Sequence, residues 1–236
     1  MWSTESRAII EKNIKSRGYH VYVVSGGAVP RWVYTIGLSP RLGCELVFAG
    51  GAVLSRDSVL QLIQDVSVVS GLVGGGEFAG RSGEFAFSDV SGGWGDELLR
   101  GANDFYSRRV PAVQIVPKGA LFTIDVPDLA HEYEIGSPSA WRWLFEQWPF
   151  AAPKSSEVMV DTHILHGATV AEAARWETDY WEAFVAPGEE VSKEDARILP
   201  LGALVGREPS LEFLTTLSVG SAVRRVGGGE WFEVNG

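Results

Sequence analysis

Short apolar runs, closed off by turn residues, confine this chain to a sheet-rich fold. His20-Val-Tyr-Val-Val24, Trp32–Leu38 and Glu45–Ala49 are rich in β-branched and aromatic residues and too brief for helices. The loop 25–30 carries two glycines and a proline, which suits a hairpin between the first two runs. Glu84–Val90 alternates like a strand, and Ala112–Val116 and Ala120–Val126 read as a pair about the turn Pro117-Lys-Gly119. Further along, Val158–Leu165, Tyr180–Val185 and Arg197–Leu201 read as strands, and Val170–Trp176 as a strand or short helix. Gly220–Val226 and Glu230–Val234 form a closing hairpin about three glycines.

Helical spacing is confined to a few segments. Residues 3–17 place Ile9, Ile10 and Ile14 on one face, with Ser3 or Thr4 to cap the start and Gly18 to end it. From Ser55, residues Val59, Leu60, Ile63 and Val66 recur at helical intervals. Leu98–Tyr106 and Ser139–Trp148 read as shorter helices, and Leu211–Leu217 as a loop or helix. The stretch 71–95, with its glycine clusters, reads as strands and loops of unusual backbone angle. The expected architecture is α+β: two small domains, each a mixed or antiparallel sheet with flanking helices. The domains span 1–150 and 156–236, joined through Pro149–Ser156.

Charge narrows the choice of partners. Residues 156–236 hold 14 acids against 6 bases, and residues 1–155 hold 16 against 14. A negative second half repels phosphate, which disfavours nucleic acid, and attracts a basic partner; it also serves solubility. No run of about 18 apolar residues exists to span a membrane. A single cysteine, Cys44, and a charged N-terminus without a signal-like apolar run fit a cytoplasmic protein.

The motifs for common chemistries are missing. There is no phosphate-binding loop, no G-x-G-x-x-G and no G-x-S-x-G. His163 and His166, with Asp161, are the nearest approach to a metal set, and solvated turn histidines are the plainer reading. A Cys44–His20 pair is conceivable across neighbouring strands, but Cys44 reads as a small buried hydrophobe. No catalytic residue, cofactor or metal is assigned.

Two groups of residues merit attention. His20, Tyr34, Thr35 and Glu45 lie at the ends of three early strands and could converge, either as a polar ligand pocket or as a buried network fixing strand register. Trp176, Asp179, Tyr180, Trp181, Glu182, Glu189 and Glu190 interleave aromatic rings with acids, as a protein interface does. A small domain using tryptophan to fill its core would read the same way.

Two resemblances extend this. Gly18-Tyr-His-Val21, Tyr34-Thr-Ile-Gly-Leu38, Glu45-Leu-Val-Phe48 and Val110-Pro-Ala-Val-Gln114 resemble the bacterial family of domain of unknown function 4262 over about residues 5–150, with Cys44 where proline is usual. That family brings no activity. Val160–Leu165, Tyr180-Trp-Glu-Ala-Phe184, Leu199-Pro-Leu-Gly202, Glu208-Pro-Ser-Leu211, Gly220–Arg225 and Glu230-Trp231 resemble the immunity-protein-33-like family, also called domain of unknown function 2185. Here Glu208 replaces the usual Asp, and Val223 breaks the family's Gly-x-x-Ala-x-Arg pattern. This second resemblance implies neutralisation of a cognate protein toxin by direct contact. The alternative expectation is an enzyme or small-ligand receptor built on His20, Tyr34 and Glu45. A homodimer is compatible with either.

Overall fold

The computed structural model describes residues 3–69, 71–72, 74–186 and 191–234. Two compact units emerge. The first comprises Met1–Ser25, Arg31–Phe122 and Asp128–Glu134; the second comprises Gly26–Pro30, Thr123–Pro127 and Ile135–Gly236. The segment Pro149–Ser156 thus lies inside the second unit. Within it, the Trp148 indole N–H donates to the Ala152 carbonyl (2.8 Å) and Ser156 accepts from Leu201 N–H (2.8 Å).

The first unit runs α1 (Thr4–Arg17), β1 (His20–Val24), β2 (Trp32–Ile36), α2 (Ser39–Leu42), β3 (Glu45–Ala49), α3 (Arg56–Ser67), β4 (Glu77–Gly80), β5 (Gly83–Asp89), α4 (Gly92–Leu98), α5 (Arg100–Tyr106) and β6 (Ala112–Pro117). Its sheet is ordered β1-β2-β3-β6-β5-β4; β3 and β6 pair in parallel, and the other neighbours pair antiparallel among the described residues. Ser3 caps α1 by accepting from Ser6 N–H, and Gly18 closes it in the left-handed conformation, donating to Ile14. Ser55 caps α3, whose Val59, Leu62, Ile63 and Val66 bury against Leu46, Phe48, Phe85, Val113 and Ile115. Each such side chain contributes about 1.5–3 kcal/mol of burial.

The expected strand at 120–126 does not form. β3 and β5 already occupy both edges of β6, so no edge remains for a hairpin partner. The chain makes a 3-10 turn at Gly119–Leu121 instead, and Ile124 N–H donates to Leu165 in the second unit. The glycine-rich 92–95 stretch, expected as loop, is the helix α4.

The second unit runs α6 (Arg142–Phe145), β7 (Glu157–Asp161), α7 (Thr162–Leu165), β8 (Glu172–Arg175), β9 (Tyr180–Phe184), β10 (Ala196–Pro200), α8 (Leu201–Arg207), a 3-10 helix over Pro209–Thr216, β11 (Ser221–Arg224) and β12 (Phe232–Val234). Its sheet is ordered β10-β7-β9-β8-β11-β12, with β7 and β9 parallel. Both sheets are mixed and flanked by helices, so the architecture is α+β.

Three local departures have physical causes. The helix expected over 139–148 shrinks to α6, because the Trp141 and Trp143 indole N–H groups are pinned to the Asp125 and Gly202 carbonyls (2.8 Å each). The strand expected to reach Leu165 stops at Asp161, whose side chain caps α7 by accepting from His163 and Ile164 N–H. Asp161 therefore faces a helix start rather than sharing a strand face with His163. Third, α8 was not anticipated; Gly202 and Gly206, one turn apart, let it approach Ala28 and Ser139 more closely than any side chain would allow.

Candidate functional site

The four early-strand residues separate into different environments. Glu45 is fully buried, yet both carboxylate oxygens are saturated. Oε2 accepts from Thr35 Oγ1 (2.7 Å) and Leu38 N–H (3.2 Å); Oε1 accepts from Gly37 N–H (3.0 Å), Ser39 N–H (2.9 Å) and the Tyr106 hydroxyl (2.8 Å). Three of these donors are main-chain groups at the start of α2, where a carboxylate meets the exposed N–H groups of the helix. Thr35 Oγ1 also accepts from Leu46 N–H (2.9 Å), tying β2 to β3.

Gly37 completes the arrangement. Its φ is +120°, and a Cβ there would stand 2.8 Å from Ile14 Cγ1. The Tyr34-Thr-Ile-Gly-Leu38 segment with Glu45 is thus a buried polar hub that sets the β2–α2–β3 turn. Burial, and then the Glu45 carboxylate, push the Tyr106 phenol well above its ordinary pKa, so it stays a donor. Tyr106 carries no sequence signal for this role: it lies 61 residues from Glu45, and only the fold brings α5 to this turn.

Tyr34 packs its ring on Tyr22 (5.4 Å between centroids), and burial raises its phenol, which also bonds the Gly101 backbone. His20 belongs elsewhere. Arg17 Nη2 donates to Asn13 Oδ1 (3.0 Å), which orients the amide so that Asn13 Nδ2 faces His20 Nδ1 at 2.8 Å. Nδ1 therefore accepts, which suits a neutral ring protonated on Nε2. Burial and Arg17 lower the His20 pKa, in agreement. Cys44 is buried, and desolvation, then Glu45 and Asp89, raise its thiol pKa, which makes it a poor nucleophile.

The second group lies on the sheet of the second unit. Cross-strand register puts Ile198, Met159, Glu182, Ala174, Ala222 and Val234 in one row, on the same side as Glu157, Tyr180 and Phe184. The opposite side is sealed: Val158, Val160, Ala183, Leu199 and Val223 are buried there together with Trp181. Trp181 is fully buried, with its indole N–H on the Leu214 carbonyl (3.0 Å) and Arg175 stacked 4.5 Å from its ring centre. It packs the core and does not meet solvent.

The other side of this sheet is partly exposed, although Ala174 is buried in it. Trp176, Ile198 and Phe232 remain 52%, 50% and 49% exposed. Trp176 donates its indole N–H to Glu182 (2.7 Å), which ties the ring to an acid. Tyr180 is half-buried between acids; burial and the Glu182, Glu157 and Glu177 carboxylates raise its phenol pKa. Asp179 is exposed next to it. Glu189 and Glu190 lie outside the described residues.

Among the described residues, no group of three or more His, Cys, Asp or Glu could hold a metal ion, and no helix is long and apolar enough to cross a membrane. No curated protein and no solved structure matches the chain. Residues 13–119, which contain the Tyr34–Leu38 segment, Glu45 and Tyr106, match the family model described as Domain of unknown function (DUF4262), and that is the family to which the N-terminal region is similar.

Proposed function

We propose that this chain is a cytoplasmic binding protein whose second unit receives a basic protein partner on the open face of its sheet. One observation carries the reading: three large apolar side chains, Trp176, Ile198 and Phe232, stand about half exposed on the same side of that sheet as Glu157 and Glu182. Trp176 bonds Glu182, Ile198 lies one strand from Glu157, and Phe232 pairs across the strands with Arg224, whose charge Glu172 offsets; exposed anchors with acids among them suit a charged protein interface.

The partner class comes from the resemblance of residues 156–236 to immunity proteins: a protein toxin, neutralised by contact with its basic surface. Blocking a toxin in this way needs complementarity and desolvated anchors, with no catalytic group on the inhibitor.

The test titrates the purified products of neighbouring reading frames against wild type, a Trp176→Ala/Ile198→Glu variant and a Glu157→Lys/Glu182→Lys variant, by calorimetry. The expected outcome is a partner whose affinity drops at least tenfold in each variant and falls steeply with added salt, as a charge-steered interface does. Equal affinity for all three proteins would remove this face from consideration.

A further inference from the structure

The outer strand of the first sheet borders a groove that takes no part in the Glu45 hub and lies in a different unit from the open sheet face. β1 has β2 as its single neighbour in the sheet order, so it is an edge strand. Edge strands present alternate main-chain N–H and C=O groups on their outer side, a template for another strand. Beside it is a groove of about 560 Å³, within the range of about 300–1,000 Å³ typical of ligand sites.

The lining has a clear chemical bias. Val21 and Val23 of β1, with Leu60 and Val68 from the α3 side, make its apolar wall. Arg17 of α1 and Arg56 of α3 supply its charge. No carboxylate lines it, and among the described residues neither arginine pairs with an acid, in a protein of net charge −10. Arg17 spends one N–H on Asn13, leaving most of its five donors for a ligand. Arg56 occupies the first turn of α3, where a cation opposes the positive end of the helix. Asp57 beside it complements the helix end, and a bound anion would offset the unfavourable position of Arg56.

We propose that this groove binds an extended acidic peptide, which pairs with β1 as a seventh strand and sets its carboxylates against Arg17 and Arg56. β1 has five residues, so the paired segment is about 17 Å, or about five residues, long. A small anion would satisfy the arginines alone, leaving the strand edge and the Val21–Val23 wall unused. This proposal is independent of the partner face in the second unit.

The probe is a fluorescein-labelled peptide of alternating glutamate and valine, read by anisotropy. It is expected to bind wild type and a Trp176→Ala variant alike, and an Arg17→Glu/Arg56→Glu variant at least tenfold more weakly. Two controls need no variant. N-methylating alternate amides of the peptide should abolish binding, because it removes the strand-pairing donors. A lysine–valine peptide should not bind. The proposal is overturned if the glutamate–valine peptide fails to bind wild type, if the N-methylated peptide binds equally well, or if inorganic phosphate competes as effectively as unlabelled peptide. Unchanged affinity in the double arginine variant, with native melting preserved, overturns it too.

Discussion

Glu45 shows how far one residue can govern a turn. A buried carboxylate is costly unless its oxygens are bonded, and here five donors surround it. Glu45→Gln replaces one acceptor oxygen with an NH₂ group facing main-chain donors; we expect a loss of about 3 kcal/mol in urea unfolding. Tyr106→Phe removes the hydroxyl that donates to the carboxylate and accepts from Gly37 N–H (2.8 Å each), and should cost about 1.5–3 kcal/mol in the same measurement. His20 gives a pH signature. Its folded pKa is lowered, so the unfolded chain binds the proton more readily, and the contribution of His20 is complete above the ordinary histidine value. That contribution declines as pH falls through the folded pKa. Ring NMR titration should place His20 below 6.5, and His20→Gln should flatten the fall in stability between neutral and acidic pH. Sequence gave notice of His20, Tyr34, Thr35 and Glu45 as polar residues at strand ends. It held no signal that His20 would pair with Asn13 while Glu45 paired with Tyr106, because those choices depend on where α1 and α5 pack.

At the scale of elements, local chemistry decided the first third of the chain. Ser3 and Gly18 bound α1, Ser55 begins α3, and β1 to β3 occupy their expected positions. Local chemistry was outweighed where tertiary partners compete. The run 120–126 has strand-like composition but no free sheet edge, and Ser139–Trp148 has helical composition but two indoles fixed to distant carbonyls. α8 was hidden because Gly202 and Gly206 look like breakers; their value lies in close packing. A Cβ at Gly202 would stand 2.6 Å from Ala28 Cβ and press on its carbonyl, and one at Gly206 would lie 2.5 Å from the Ser139 carbonyl oxygen. Gly202→Ala should therefore destabilise the protein by about 1–3 kcal/mol in chemical denaturation, although alanine favours a helix.

On the scale of the molecule, the second unit draws on three parts of the chain. Residues 26–30 meet Gly202, and residues 123–127 provide the Asp125 carbonyl for Trp141 and the Ile124 N–H for Leu165. A fragment 135–236 lacks both segments, so its NMR spectrum should show poor dispersion where the full chain shows sharp, dispersed signals. The alternation of apolar and polar residues made the α+β class and two sheet-bearing regions readable, since strand and helix periods are properties of neighbouring residues; whether each sheet was mixed or antiparallel was not, because the parallel pairs β3–β6 and β7–β9 join distant segments. The aromatic–acid cluster was equally visible as composition. Whether each ring faces water was not, because a tryptophan has the same sequence signature in a core as on a surface. Register settled that question: Trp176 and Trp181, five residues apart, sit on opposite sides of one sheet, the first half exposed beside Glu182 and the second sealed under Leu214. Sequence carries what neighbours along the chain dictate; burial, pairing and the open face arise from contacts between distant segments, which only packing brings together.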